Sequence, residues 1–139
     1  MRTVLCHGVF DLLHTGHVEH LMSARKYGDF LVVSVVPDRF ITKQRPIIYD
    51  EGERLVLLSA LKCVDSVVLC GASGPEKVIE QLMPDVYVRG HDYIGKRMPE
   101  SDLLENLNIP VRYTDKSLMH STEIIRKIYD LCRQHPWFA

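Results

Sequence analysis

The chain is short of several features that would narrow its class at once. No apolar run in its 139 residues approaches the ~20 residues of a membrane-spanning helix, so a membrane role is not indicated. Arg2 is followed by only a short apolar stretch before His7 and Gly8, which is not the pattern of a signal peptide. The four cysteines (Cys6, Cys63, Cys70, Cys132) form no Cys-x-x-Cys pair, and three of them lie inside apolar runs. They read as buried free thiols in a reducing, cytoplasmic setting. Net charge is nearly absent: 17 Lys and Arg stand against 18 Asp and Glu, for a formal charge of -1. No sequence-wide attraction to nucleic acid follows from that, although a local basic pocket for one polyphosphate is compatible with it. There is no internal repeat and no long linker, so residues 1–139 are expected to form a single domain.

What the chain does have is a core and a regular alternation. Its residues are 46% hydrophobic and 25% charged, ordinary for a globular protein. Apolar runs at residues 3–6, 30–36, 64–69, 86–88 and 109–113 read as strands. The run at 30–36 is nearly continuous and β-branched, as in a strand buried on both faces. Helical spacing marks a first helix near His17 to Lys26, with Gly28 suited to the position just past its end. Further helices are expected from the acidic turn at Asp50, from Pro75 as a first helical residue, over about 100–107, and from Ser121. Val78, Ile79, Leu82 and Met83 are the expected buried stripe of the third helix. Ile124, Ile125, Ile128, Leu131 and Cys132 are that of the last. Alternating strands and helices predict an α/β fold, a doubly wound parallel five-stranded sheet covered by helices on both faces.

In such a sheet ligands bind at the carboxyl ends of the strands. The strand-end loops at 7–17, 37–46, 89–93 and 114–122 are the ones rich in Gly, His, Lys, Arg, Ser and Thr. Four segments distant in sequence would then meet in one cleft. In the first, His14 and His17 flank a helix start, where backbone N–H groups and the helix dipole favour an anion. Gly16 lets the backbone pass close to it. Two imidazoles there can donate to a phosphate. A zinc site made with His20 and a purely structural cap are the competing readings. Lys43 and Arg45 lie in a basic loop suited to close over a triphosphate, or else are solvated charges. Ser121 and Thr122 suit an N-cap. Arg89 to Tyr93 suits a base or sugar pocket, with Asp92 as a turn former in the alternative. Lys77 sits near a helix start, and His7 lies near the cleft.

Taken together, these segments resemble the cytidylyltransferase-like nucleotidyltransferase family. Its mark is His-x-Gly-His, here His14-Thr15-Gly16-His17, within Gly8-Val9-Phe10-Asp11-Leu12-Leu13-His14-Thr15-Gly16-His17. The resemblance runs on through Ala24 to Asp29, the Lys43/Arg45-Pro46 loop, Glu53-Arg54, Val64 to Val68, Pro84 to Tyr93 and Ser121 to Ile125. It implies a Rossmann-like fold and attack by a substrate phosphate on the α-phosphate of a nucleoside triphosphate. Pyrophosphate is released without a covalent enzyme intermediate.

By position, the resemblance makes His14, His17 and Lys43 catalytic. It places Gly8, Val9, Phe10, Thr15, Gly16, Arg89, Gly90, Asp92, Met119, His120, Ser121 and Thr122 around the nucleotide, and Asp11, Arg45 and Lys77 toward the second substrate. Mg²⁺ is expected through the triphosphate rather than on dedicated protein ligands, and a homodimer is expected. Two subgroups are similar. Glycerol-3-phosphate cytidylyltransferases share the chain length and the stretch Tyr87 to Asp92. Adenylyltransferases that make ADP-heptose resemble the region from Arg45 to Asp65 and the stretch Ile124 to Ile128.

The first comparison favours CTP and a small phosphorylated polyol, sugar or related metabolite; the second gives ATP as the alternative. One departure stands out: Asp115 to Thr122 lacks an arginine and a glycine usual in the cytidylyltransferases, and His120 stands where a serine is usual. That departure also admits a nucleotide-binding regulatory protein without turnover.

Overall fold

The computed structural model describes residues 1–42, 46–117 and 119–135. Strands β1 (Thr3–Gly8), β2 (Phe30–Val35), β3 (Ser66–Leu69), β4 (Val86–Arg89) and β5 (Val111–Tyr113) alternate with helices α1 (Thr15–Arg25), α2 (Glu51–Ser59), α3 (Glu76–Leu82), α4 (Ser101–Asn106) and α5 (Ser121–Gln134). Short 3₁₀ turns occupy Asp38–Phe40 and His91–Tyr93. All neighbouring strands pair in parallel, in the order β3-β2-β1-β4-β5. The order reverses between β1 and β4, and a crevice opens there at the strands' carboxyl ends.

The period-2 alternation of the central strands divides the core between the two faces of the sheet. Val4 and Cys6 of β1, Leu31, Val33 and Val35 of β2, and Val86 and Val88 of β4 pack with Leu21 and Ala24 of α1 and Leu58 of α2. Leu5, Val32 and Tyr87 point the other way and pack with Ile79 of α3 and Leu104 of α4. Tyr87 is fully buried, and its hydroxyl is satisfied by Glu100 Oε1 at 2.7 Å. Helices on both faces are thus as expected. The four cysteines are free, and Cys6 and Cys70 are buried. Burial pushes the Cys6 thiol up to about 12, which makes it a poor nucleophile. Among the described residues no helix is long and apolar enough to cross a membrane.

Several boundaries differ from expectation, each for a local reason. α1 starts at Thr15, earlier than His17, because His14 caps it. β3 starts at Ser66 rather than Val64, and β5 at Val111 rather than Ile109. Pro75 stands at the N-cap of α3, one residue before the helix. Met83 is the left-handed C-cap of that helix and is exposed, not part of a buried stripe. Gly28 has no positive φ; glycine suits it because a Cβ would strike Arg2 O. No residue of α5 is fully buried: Ile124, Ile125, Leu131 and Cys132 are half-buried and Ile128 is 52% exposed, so its apolar stripe is only partly covered.

Candidate active site

The crevice begins where β1 runs out. After Gly8 the chain turns through Phe10 (φ 55°) and Leu12 (φ 52°), two non-glycine residues in the left-handed region. Such conformations persist where surrounding contacts over-determine them. Asp11 between them is fully buried, and its carboxylate accepts the backbone N–H groups of Ile48 and Tyr49, each at 2.9 Å.

Arg54, also 0% exposed, completes the frame. Its Nη1 donates to Val9 O at 2.9 Å and Val36 O at 2.8 Å, its Nε to Tyr49 O at 3.2 Å, and its Nη2 to Asp38 Oδ1 at 2.6 Å. One buried guanidinium therefore joins the exits of β1 and β2 to the entry of α2. A further capping box, Asp50 with Glu53, secures that entry.

His14 and His17 are fixed by the start of α1. His14 Nδ1 accepts from Gly16 N at 3.0 Å, and His17 Nδ1 accepts from His14 N at 3.3 Å, a capping box made of two imidazoles. The rings stack, with centroids 3.9 Å apart, and Phe10 meets His17 edge-on at 5.6 Å. An Nδ1 that accepts an N–H carries no proton, so each neutral ring holds its hydrogen on Nε2. The cap thereby fixes a tautomer as well as an orientation. They are helix caps, and their rings line the cleft.

The segment after β5 closes the crevice against α1. A Cβ on Gly16 would collide with Ser117 Oγ, with His14 Cε1 and with Met119 O. Glycine is required at that position for this close approach. Ser121 Oγ donates to Asp11 O at 2.9 Å, tying the start of α5 to the β1–α1 turn. Neither Ser121 nor Thr122 is the cap expected of it. His120 holds the N-cap position without a side-chain cap bond, and the first turn of α5 faces the cleft with Met119, His120, Ser121 and Thr122 in its wall.

The cleft between these parts has a volume of about 890 Å³, at the upper end of the usual range for small-molecule sites. Gly8, Val9, Phe10, Gly16, Arg89, Gly90 and Asp92 also line it, as expected. Two histidines line it that motif reading left without a role. His7 Nδ1 lies 3.1 Å from Ser34 Oγ, and His20 Nδ1 lies 2.6 Å from Thr114 Oγ1. Burial, reinforced by the Arg89 charge, lowers each of them to about 4. Both are neutral near pH 7.

Three expectations fail on position. Asp11 faces backbone N–H groups rather than a substrate, Lys77 is exposed on α3 away from the cleft, and Thr15 is exposed outside its lining. Lys43 and Arg45 lie outside the described residues. Among the described residues no group of three or more His, Cys, Asp or Glu could hold a metal, so His14, His17 and His20 do not form a zinc site. Arg54 and Ser117 are the residues that sequence reasoning missed. Their role depends on burial and on a contact across some 100 residues, neither of which leaves a periodic trace.

Comparison with known proteins bears on the family and the fold. Residues 5–128 match the family model described as Cytidylyltransferase-like. The chain is 40% identical over 132 residues to "Bifunctional protein HldE" of Geotalea uraniireducens, covering 91% of this chain and 27% of that protein. It is 47% identical over 109 residues to the protein of the same name from Citrifermentans bemidjiense, covering 72% and 22%. The chain thus spans about a quarter of the length of these curated relatives. Among solved structures, the lipopolysaccharide core biosynthesis protein from Thermoplasma volcanium superposes with a TM-score of 0.68 at 34% identity, covering 86% of this chain and 99% of that one.

Proposed function

The chain belongs to the cytidylyltransferase-like family, and from that premise we propose that it transfers an adenylyl group from ATP to a heptose phosphate, with release of pyrophosphate. The relatives called Bifunctional protein HldE support ATP and a sugar phosphate over CTP and a polyol phosphate, in line with the second subgroup that the sequence resembles. The observation that carries the reaction class is the pair of capped imidazoles at the mouth of the strain-held β1–α1 turn.

In the proposed step an oxygen of the acceptor phosphate forms a bond to the α-phosphorus. The bond from that phosphorus to the oxygen bridging to the β-phosphate breaks, and its electron pair leaves on pyrophosphate. The nucleophile is already ionised, so no base is needed. His14 and His17 act as Nε2–H donors to the α-phosphate oxygens, on which charge builds in the transition state. Taking up a proton would cost either ring its Nδ1 cap bond, so general acid chemistry is a poor use of them. The α5 N-terminus at Ser121 and Thr122 receives the β- and γ-phosphates, to whose charge Lys43 answers by the family resemblance. The backbone at Gly8, Val9 and Phe10 and the Gly90–Asp92 turn hold the nucleoside. Mg²⁺ fits as an ion carried by the triphosphate, since Mg²⁺ keeps several waters and takes one or two carboxylates beside substrate phosphates. Asp92 and Asp115 line the cleft and would meet the ion through its waters. When bound, the ion neutralises charge on the leaving pyrophosphate. A homodimer in the cytoplasm completes the proposal.

Pyrophosphate release is the test, with ATP and CTP each offered heptose 1-phosphate and glycerol 3-phosphate. Turnover with ATP and the sugar phosphate is expected. Preference for CTP and glycerol 3-phosphate would favour the second reading, which Gly90-His91-Asp92 suggests. Tight nucleotide binding with no pyrophosphate from any pair would mark a regulatory protein.

A further inference from the structure

Arg89 ends β4, directly across the crevice from the end of β1. Its side chain is 9% exposed and lines the cleft. Nη1 donates to His7 O at 2.8 Å, and the guanidinium lies 3.8 Å from the centroid of the Tyr93 ring. Its Nε, fully buried, has no hydrogen-bond partner. No ion pair among the described residues includes it. Arg54 makes the contrast: fully buried, it is saturated by three carbonyls and a carboxylate. A buried guanidinium with an idle N–H and no ion-paired carboxylate is costly to keep. It makes sense where a bound anion supplies what the protein withholds.

The surroundings distinguish which anion. The triphosphate has its own receptors in the proposed site: the helix starts of α1 and α5 and the imidazoles of His14 and His17. Around Arg89 the polar groups are of another kind. His7 and His20 are neutral rings, each paired through Nδ1 with a hydroxyl, Ser34 Oγ or Thr114 Oγ1. Thr114 N is bound to Arg89 O at 3.0 Å, which ties the two together. A fixed cation amid neutral imidazoles and hydroxyls, with the one nearby buried carboxylate, Glu100, held by the Tyr87 hydroxyl, matches a singly placed phosphomonoester on a polyhydroxy body better than a chain of three phosphates.

We propose that Arg89 anchors the phosphate of the acceptor, with His20 facing the sugar hydroxyls, so that this end of the crevice is the acceptor subsite. The assignment rests on the transfer reaction proposed above and moves Arg89 from the nucleotide to the second substrate. Arg89 also orients the nucleophile, since the phosphate it grips is the group that attacks.

The test compares wild type with Arg89→Met, which keeps the volume and removes the charge, and with Arg89→Lys, which keeps a cation without the planar fork. In the pyrophosphate assay, KM for heptose 1-phosphate rises about tenfold to a hundredfold in Arg89→Met, the usual worth of a hydrogen bond to a charged group. KM for ATP stays within about twofold, and Arg89→Lys recovers part of the loss. Equal rises in both KM values, or an unchanged KM for the sugar phosphate, would overturn the assignment. A second readout does not need turnover: heptose 1-phosphate is titrated calorimetrically into protein holding a non-hydrolysable ATP analogue. Binding by wild type that is lost in Arg89→Met supports the subsite even if no pyrophosphate is ever released. Failure of wild type to bind the sugar phosphate, or undiminished binding by the variant, overturns it. Arg89→Lys serves for both readouts if Arg89→Met does not fold.

Discussion

His7 and His20 couple the stability of the fold to pH in a direction set by burial. Each is held near 4 in the folded chain against an ordinary 6.5, through desolvation first and the nearby Arg89 charge second; for His7 the Glu100 carboxylate and hydrogen bonds offset part of this. The folded state therefore binds fewer protons than the unfolded chain between those limits. Stability is complete above about pH 6.5 and is lost as pH falls toward 4. Unfolding at pH 5 is expected to take up about two more protons from these residues than at pH 8; the slope of melting free energy against pH measures it. His20→Gln should remove about half of that slope, and an unchanged slope would mean that the ring is solvated. The same residues show what a sequence can display. His14 and His17 were legible because capping requires a spacing of three. Arg89 was legible as a cleft residue, but its burial, like that of Arg54, was not, because a cation's burial is a property of the packed sheet. Asp11 was misread for a related reason: an acidic residue beside a ligand motif looks functional until its backbone partners at Ile48 and Tyr49 are known.

Among the elements, β2 and β4 were the most legible, since a strand covered on both faces has to be apolar throughout and few other structures impose that. Ends were less so. The imidazole cap pulls α1 back to Thr15, and α5 begins with Ser121 tied to Asp11 O rather than capping its own helix. How α1 meets the segment before α5 was beyond reach, because that contact joins residues about 100 apart. It yields a prediction. Alanine is intrinsically better than glycine inside a helix by about 1 kcal/mol, yet Gly16→Ala places a methyl group against Ser117 Oγ, His14 Cε1 and Met119 O. Overpacking of this kind costs about 1–3 kcal/mol. The variant is expected to melt lower than wild type and to bind ATP about tenfold more weakly by calorimetry, as the start of α5 is pushed from the triphosphate. Wild-type affinity with a raised melting point would show that the two segments are not in register.

At the scale of the whole molecule, the strand order β3-β2-β1-β4-β5 converts scattered polar loops into one crevice. The β1–α1 turn, the β4 end and the segment after β5 meet because parallel strands place all their carboxyl ends on one edge. The sequence showed that these loops were rich in anion-binding residues; only the order of strands shows which ones adjoin. In the proposed reaction His14 and His17 serve nucleotidyl transfer as oriented Nε2–H donors and not merely as caps. His14→Asn separates the two roles, because asparagine is among the best N-cap residues but does not carry a ring nitrogen into the cleft. The decisive measurement is kcat for pyrophosphate release by this variant with ATP and heptose 1-phosphate. A fall of about a hundredfold to a thousandfold, the usual loss for one preorganised transition-state donor, with a melting point close to wild type, is the predicted result; a kcat near that of wild type in the folded variant would contradict it.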